Sequence, residues 1–318
     1  MDAEEIDLLT GSLREVFAGA GADVPRQLRE LGWDDVAAAD PAAATTLLFT
    51  EKGRALSAAA LLDDVVLPLL GGADIVCYPH PGSGTRPSST PQATTGVMLR
   101  KPRPDERLVI PVADAGGVSL AVAAASEFTV TPLPSLDPGA DWYAVAGPTP
   151  AERYDGSAWV PAAAAAHRAL AAEIIGAAER ALELAVEHTS TRRQFNAPIA
   201  AFQAVRHRLA DCYVAIAAAR ALLAASFGDD AESPAVAAVA AAAAKARAGR
   251  AHQTVSSSAV QVCGAMGATL EHPLHGYVNR GAVLDGLLGS SAELTAELGA
   301  MIRATVTSGG EIPLLVEV

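Results

Sequence analysis

The residues best suited to bind a charged ligand stand in two short stretches. TRRQFNAPIAAFQAVRHRLAD, Thr191 to Asp211, offers Arg192, Phe195 and, eight residues past that phenylalanine, Gln203. QVCGAMGATLEHP, Gln261 to Pro273, offers Gln261, Gly264, Ala265 and Gly267. A guanidinium fork pairs with phosphate or carboxylate oxygens, a carboxamide donates and accepts, and glycine lets a backbone come close to a bound group. Each residue also has a plainer role. Arg192 can neutralise a helix C-terminus, Gln203 can be a surface amide, Phe195 can fill a core, and the glycines can end a helix. Groups able to move protons are sparse: His167 and Glu173 in one apolar run, Asp285 and Glu293 in another. Such carboxylates are most often solvated or salt-bridged, and such a histidine most often packs. Cys77, Cys212 and Cys263 lie far apart and are odd in number, with no Cys-x-x-Cys or Cys/His spacing that suggests zinc, so neither a metal site nor a disulfide framework is expected.

Three textures divide the chain. Residues 1–72 read as a helical domain, with Leu13, Val16 and Phe17 on one face. There LRELGWDDV, Leu28 to Val36, reads as a helix closing at Gly32, and Leu56 to Leu70 as another, with Asp63 and Asp64 on its wet side. Residues 73–150 are rich in Pro and Gly and hold short β-like runs: Gly96–Leu99, Leu108–Val112, Val118–Val122, Phe128–Leu133 and Tyr143–Val145. They predict a small antiparallel sheet or barrel, with Gly82 to Ala93 as a mobile loop. Residues 151–318 are alanine-rich and helical. Ala162 to His188 carries Leu170, Ile174, Ala177, Ala181 and Leu184 at steps of three and four, and Ala201 to Ser226 carries Phe202, Val205, Leu209, Cys212 and Ile216. A third helix opens at Pro234 and a fourth follows Asn279, predicting a four-helix bundle.

Composition narrows the function. With 36 acidic and 23 basic side chains the net charge is −13, unlike the basic surface that grips a phosphate backbone, so nucleic acid is not an expected partner. Apolar residues make up 51% of the chain, ample for a core. The longest apolar stretch, Ala235 to Ala244, has ten residues, against the ~20 a membrane span needs. The opening MDAEEIDLLT lacks a basic leader region. A cytoplasmic protein without a membrane partner is expected.

The two stretches, in this order and on these helices, resemble the acyl-CoA dehydrogenase family. Its Arg-x-x-Phe-Gly segment with a Gln eight residues after the Phe is matched by Arg192, Phe195, Asn196 and Gln203, with Asn in place of Gly. Its Gln-x-x-Gly-Gly-x-Gly turn is matched by Gln261, Gly264, Ala265 and Gly267, with Ala in place of the middle Gly. ELGW (Glu30 to Trp33) and EKGR (Glu51 to Arg54) also sit where that family has similar words. The resemblance implies a mainly α fold: an N-terminal helical domain, a small, shortened β domain and a C-terminal four-helix bundle. It also implies that these motif residues reach the pyrophosphate and adenosine of FAD held by a neighbouring subunit. Arg192 would meet phosphate, Gln203 and Gln261 ribose or diphosphate, and Phe195 would be an apolar wall. Gly264, Ala265 and Gly267 would form the turn that approaches the cofactor.

The family's catalytic glutamate has no counterpart. Counting from Arg280, its usual position falls on Gly289, within RGAVLDGLLGSSAEL; counting back from Arg192, the alternative position falls on Ala166. The flavin-facing segment of the β domain is matched only by Gly82-Ser83 in PHPGSGTRPSST, Pro79 to Thr90. The half of an FAD site given to a neighbour is retained; the half used by the chain itself is eroded. The chain thus resembles the non-catalytic subunit of actinobacterial heterotetrameric acyl-CoA dehydrogenases of the steroid-degradation type. That implies FAD shared with a second, catalytic subunit that binds the acyl-CoA, in a two-plus-two assembly, and no catalytic residue here. Two alternatives stay open: a flavin-free homo-oligomer with other acyl-thioester chemistry, and a purely structural scaffold.

Overall fold

A computed structural model describes residues 1–19, 23–84, 86–228 and 233–309. The chain condenses into two compact units, the first from residues 1–59, 170–224 and 247–284, the second from 60–169, 225–246 and 285 onward. No helix among the described residues is long and apolar enough to cross a membrane.

In the first unit α1 (Ala3–Ala18) starts at a capping box, with the Asp2 carboxylate accepting from the Glu5 N–H and the Glu5 carboxylate from the Asp2 N–H. It buries Leu13 and Val16, the face its periodicity marks. Gly32, in the left-handed region at φ 76°, separates α2 (Val24–Glu30) from α3 (Trp33–Ala39). Next comes α4 (Pro41–Arg54), which crosses α6 (Trp159–Thr191) at a reciprocal pair of glycines. A Cβ on Gly53 would collide with the main-chain carbonyl of Glu173, and one on Gly176 with that of Thr50. Beside this contact the buried Glu173 carboxylate accepts from Lys52 Nζ at 2.6 Å and from the Arg280 guanidinium at 3.0 Å. Arg280 also donates to the carbonyls of Leu56 and Ser57. The expected stripe on α7 (Gln203–Ala225) is buried at Cys212 and Ile216 but not at its start, where Phe202 remains exposed.

In the second unit α5 (Leu62–Leu70) is shorter than the helix expected from residue 56, and Asp63 does not face water. It is 4% exposed, accepting from the Tyr78 hydroxyl at 2.8 Å and more weakly from the Val76 N–H. Two hydrogen bonds thus hold inside what amphipathic spacing places outside; burial still pushes its carboxyl up to about 7. Strands β1 (Ile75–Val76), β3 (Arg107–Asp114), β4 (Gly117–Ala124) and β7 (Tyr154–Asp155) make one sheet, and β2 (Ala93–Met98), β6 (Tyr143–Pro148) and β5 (Thr129–Pro132) a second. The runs read from sequence fall on five of these strands, and pairing is antiparallel except for β1 with β3. Ile75, Met98, Leu108, Ile110 and Val145 form the core between them. The segment expected to be a mobile loop is pinned at its far end: buried Ser89 donates to the Thr95 carbonyl and accepts from its N–H, while Thr85 lies outside the described residues.

The third helix is α8 (Pro234–Cys263). The fourth is two helices, α9 (Leu274–Gly286) and α10 (Ser291–Thr307), parted by Leu288 and Gly289 at φ 57° and 92°. Left-handed residues cannot continue a right-handed helix, and Ser290 then caps α10 in a capping box with Glu293.

Candidate functional site

Arg192 follows directly on α6, whose end feeds a hairpin that periodicity does not reveal: β8 (Arg193–Gln194) pairs with β9 (Ala197–Pro198). Its two-residue loop has Phe195 at φ 53° and Asn196 at φ 62°, the double left-handed geometry of a type I′ turn. Asparagine tolerates that region better than other side chains, so Asn196 can fill the family's glycine position without changing the turn. For a phenylalanine the conformation is unfavourable. Here it projects Phe195, 86% exposed, edge-on to Phe202 at 6.2 Å between ring centroids. Arg192 and Gln203 are exposed too.

The second stretch closes α8. Gln261 is exposed on its last turn, and Gly264 at φ 63° turns the chain into a 3-10 helix over Gly264–Ala268. A Cβ on Gly264 would meet open space, whereas one on buried Gly267 would come within 2.7 Å of the Cys263 side chain. Gly267 is therefore small because this chain packs there, and Gly264 leaves an open backbone. Ala265 is exposed, with Met266 and Leu270 also at the surface. The rings of His188, near the end of α6, and His272, after the turn, meet edge to face at 5.9 Å, which brings both stretches to one end of the first unit. Between them the two stretches expose a cation, two carboxamides, an aromatic ring and open backbone, donor types suited to an anionic ligand with apolar parts.

A large recess elsewhere in the first unit is lined by Arg14, Glu51, Arg54, Glu179, Glu183 and Arg220. Three of its charges are paired, Arg14 with Glu51, Arg54 with Glu183 and Arg220 with Glu179, and Asp7 and Glu187 add two further carboxylates to the lining.

The second unit shows what occupies the position expected for a base. Gly289 is buried, and its carbonyl and that of Asp285 accept from the ammonium of Lys245, the latter at 2.9 Å. Next to it His167 donates Nε2–H to the Leu288 carbonyl at 2.9 Å. The carbonyls exposed by the break between α9 and α10 are thus covered by two buried nitrogen side chains. Burial lowers Lys245 to about 8, partly offset by the charges of Asp285 and Glu293, and lowers His167 to about 4, so the imidazole is neutral at pH 7. The two carboxylates flanking Gly289 are engaged: Asp285 accepts from Ser291 N–H and Oγ, and Glu293 from Ser290 N–H and Oγ. Ala166 is fully buried, and Glu173 is held by Lys52 and Arg280. Lys245 belongs to no motif, and a lone lysine within the alanine run of α8 is the trace it leaves in the sequence.

A pH signature follows. A lysine whose folded value lies below its unfolded one binds protons better in the unfolded chain, so stability rises as pH climbs through that interval. Between pH 8 and 10.5 the wild type should gain up to about 3 kcal/mol relative to Lys245→Met, as read by urea denaturation. Parallel curves for the two proteins would show that Lys245 is not buried as a cation.

Residues 155–300 match the family described as acyl-CoA dehydrogenase, C-terminal domain. Acyl-CoA dehydrogenase IpdE2 of Mycobacterium tuberculosis is 43% identical over 129 residues, 41% of this chain and 39% of that protein. Its namesake in Mycolicibacterium smegmatis is 38% identical over 133 residues, 42% of this chain and 41% of that protein. The matched stretch thus spans about two fifths of these curated relatives. Among solved structures, a variant of the Tcur3481-Tcur3483 steroid ACAD superposes with a TM-score of 0.77 at 24% identity, covering 96% of this chain and 99% of that one. The ChsE4-ChsE5 complex from Mycobacterium tuberculosis superposes with a TM-score of 0.73 at 21% identity, covering 99% of both chains.

Proposed function

The chain carries an acyl-CoA dehydrogenase C-terminal domain over residues 155–300 and the fold of that family as a whole, and from this premise we propose that it is the non-catalytic subunit of a heteromeric FAD-dependent acyl-CoA dehydrogenase. The carrying observation is an asymmetry. Seven of the eight residues matched to the trans-acting motifs stand at the surface, while both base positions are buried and hold no carboxylate. Similarity to two solved assemblies of unlike subunits supports a hetero-oligomer. A bulky, steroid-type CoA thioester is the substrate class this reading assigns to the partner.

The retained donors fit one half of FAD. Arg192 would hold the diphosphate, Gln203 and Gln261 diphosphate or ribose, the Gly264–Gly267 turn with Ala265 the backbone side, and Phe195 an apolar wall. FAD, when bound, supplies the acceptor for a hydride leaving the β-carbon. The residues of this chain bind and orient; the α-proton is taken by a carboxylate of the partner.

Purified alone, the chain is expected to carry little flavin, and co-expressed with its partner the complex should be yellow. In that complex Arg192→Ala removes a charge-assisted phosphate contact worth about 1.5–3 kcal/mol, roughly a 10- to 100-fold loss in FAD affinity. Flavin absorbance after gel filtration reads the effect. Full flavin retention in the variant would remove Arg192 from the site. A colourless complex would favour a scaffold.

A further inference from the structure

His188, Cys263 and His272 come from three separate segments: the last turn of α6, the final residue of α8 and the turn leading into α9. Folding places one ligand-type atom of each within 4.8 Å of the others. The thiol is buried and both imidazoles are half-buried, so the cluster has a dry floor and an open side. We propose that these three side chains form a transition-metal site for zinc or a similar divalent ion, with the fourth position open to water or an incoming ligand. The spacing usual for zinc sites is absent from the sequence because Cys263 and His272 stand nine residues apart and His188 lies on a distant helix. This reading does not depend on the flavin assignment.

The chemistry of the donor set decides the ion. One thiolate and two imidazoles suit zinc and disfavour magnesium or calcium, which take oxygen ligands. Tetrahedral zinc with bonds of about 2.0–2.3 Å places its ligand atoms about 3.3–3.7 Å apart. Side-chain rotation must therefore close the cluster by roughly 1 Å, which two half-buried rings permit. His272 Nδ1 accepts from the Leu274 N–H at 3.2 Å, leaving Nε2 for the metal. Coordination there moves the ring proton to Nδ1, so the imidazole must turn away from that N–H and give up one long hydrogen bond. Cys263 binds as thiolate, and its proton leaves to solvent.

The test is titration of the tag-free, chelator-washed full chain with Co2+, followed by the charge-transfer absorption of a cobalt–thiolate bond. Saturation at one ion per chain, displacement by Zn2+ and a Zn2+-dependent rise in melting temperature are expected. Cys263→Ser should lose the band, and His188→Gln should weaken binding at least ~10-fold. Far-ultraviolet circular dichroism checks that both variants fold. Absence of the band in the folded wild type, or a band unchanged in Cys263→Ser, would overturn the site and leave the cluster as packing alone.

Discussion

Replacing Glu173 by alanine is expected to destabilise the protein by about 3–5 kcal/mol, the range for breaking a buried ion pair from one side. Glu173 is 2% exposed and is shared by Lys52 and Arg280, both buried as well. Removing it leaves two buried cations without the carboxylate they share, in a setting where desolvation is costly. Urea unfolding measures the loss, and a change below about 1 kcal/mol would mean water reaches the triad. Arg280, a marker of family resemblance in the sequence, thus has a structural task through Glu173 and the carbonyls of Leu56 and Ser57. Loss of activity in Glu173→Ala would report unfolding, so that variant cannot identify a base.

In the proposed complex, turnover should stay within a few-fold when Asp285→Asn, Glu293→Gln or His167→Gln is introduced into this chain. Loss of a general base costs on the order of 10²–10⁴-fold. The expectation rests on what each group already does. Asp285 and Glu293 cap the start of α10, and His167, neutral at pH 7, donates its Nε2–H to a carbonyl. Anaerobic single-turnover bleaching of the flavin isolates the chemical step. A drop of a hundredfold or more in one variant, with flavin content and assembly intact, would place the base here after all.

Long-range order was easiest to read where period and burial agree. The stripe from Leu170 to Leu184 is buried throughout, and the β-like runs Leu108–Val112 and Val118–Val122 are strands. Errors arose where a polar side chain finds a distant partner. Asp63 looked outward until Tyr78, fifteen residues on, supplied a hydroxyl. The hairpin at Phe195 was hidden because each of its strands has two residues, too few for any periodicity. The single fourth helix expected after Asn279 is two, Leu274–Gly286 and Ser291–Thr307; the apolar pair Leu287 and Leu288 hides the break, which shows in backbone angles and in the Ser290–Glu293 capping pattern. Lys245 is illegible in sequence because a lysine in an alanine helix is ordinarily a wet one, and the carbonyls that hold it lie at Asp285 and Gly289.

The crossing of α4 and α6 has a consequence for how this lineage can vary. Every amino acid other than glycine brings a Cβ, and at Gly53 and Gly176 that atom meets main chain, which cannot rotate aside. No missense change at either codon is therefore silent in structure, whatever its chemistry. A compensating shift at one position is blocked by the other, since each glycine faces the backbone of the opposite helix. Buried side chains elsewhere on the two helices can be exchanged for others of like size, an option these two positions lack. In a saturation library scored only for folded protein, these two positions should stand out as intolerant of all nineteen replacements, more so than any residue suspected of touching a ligand.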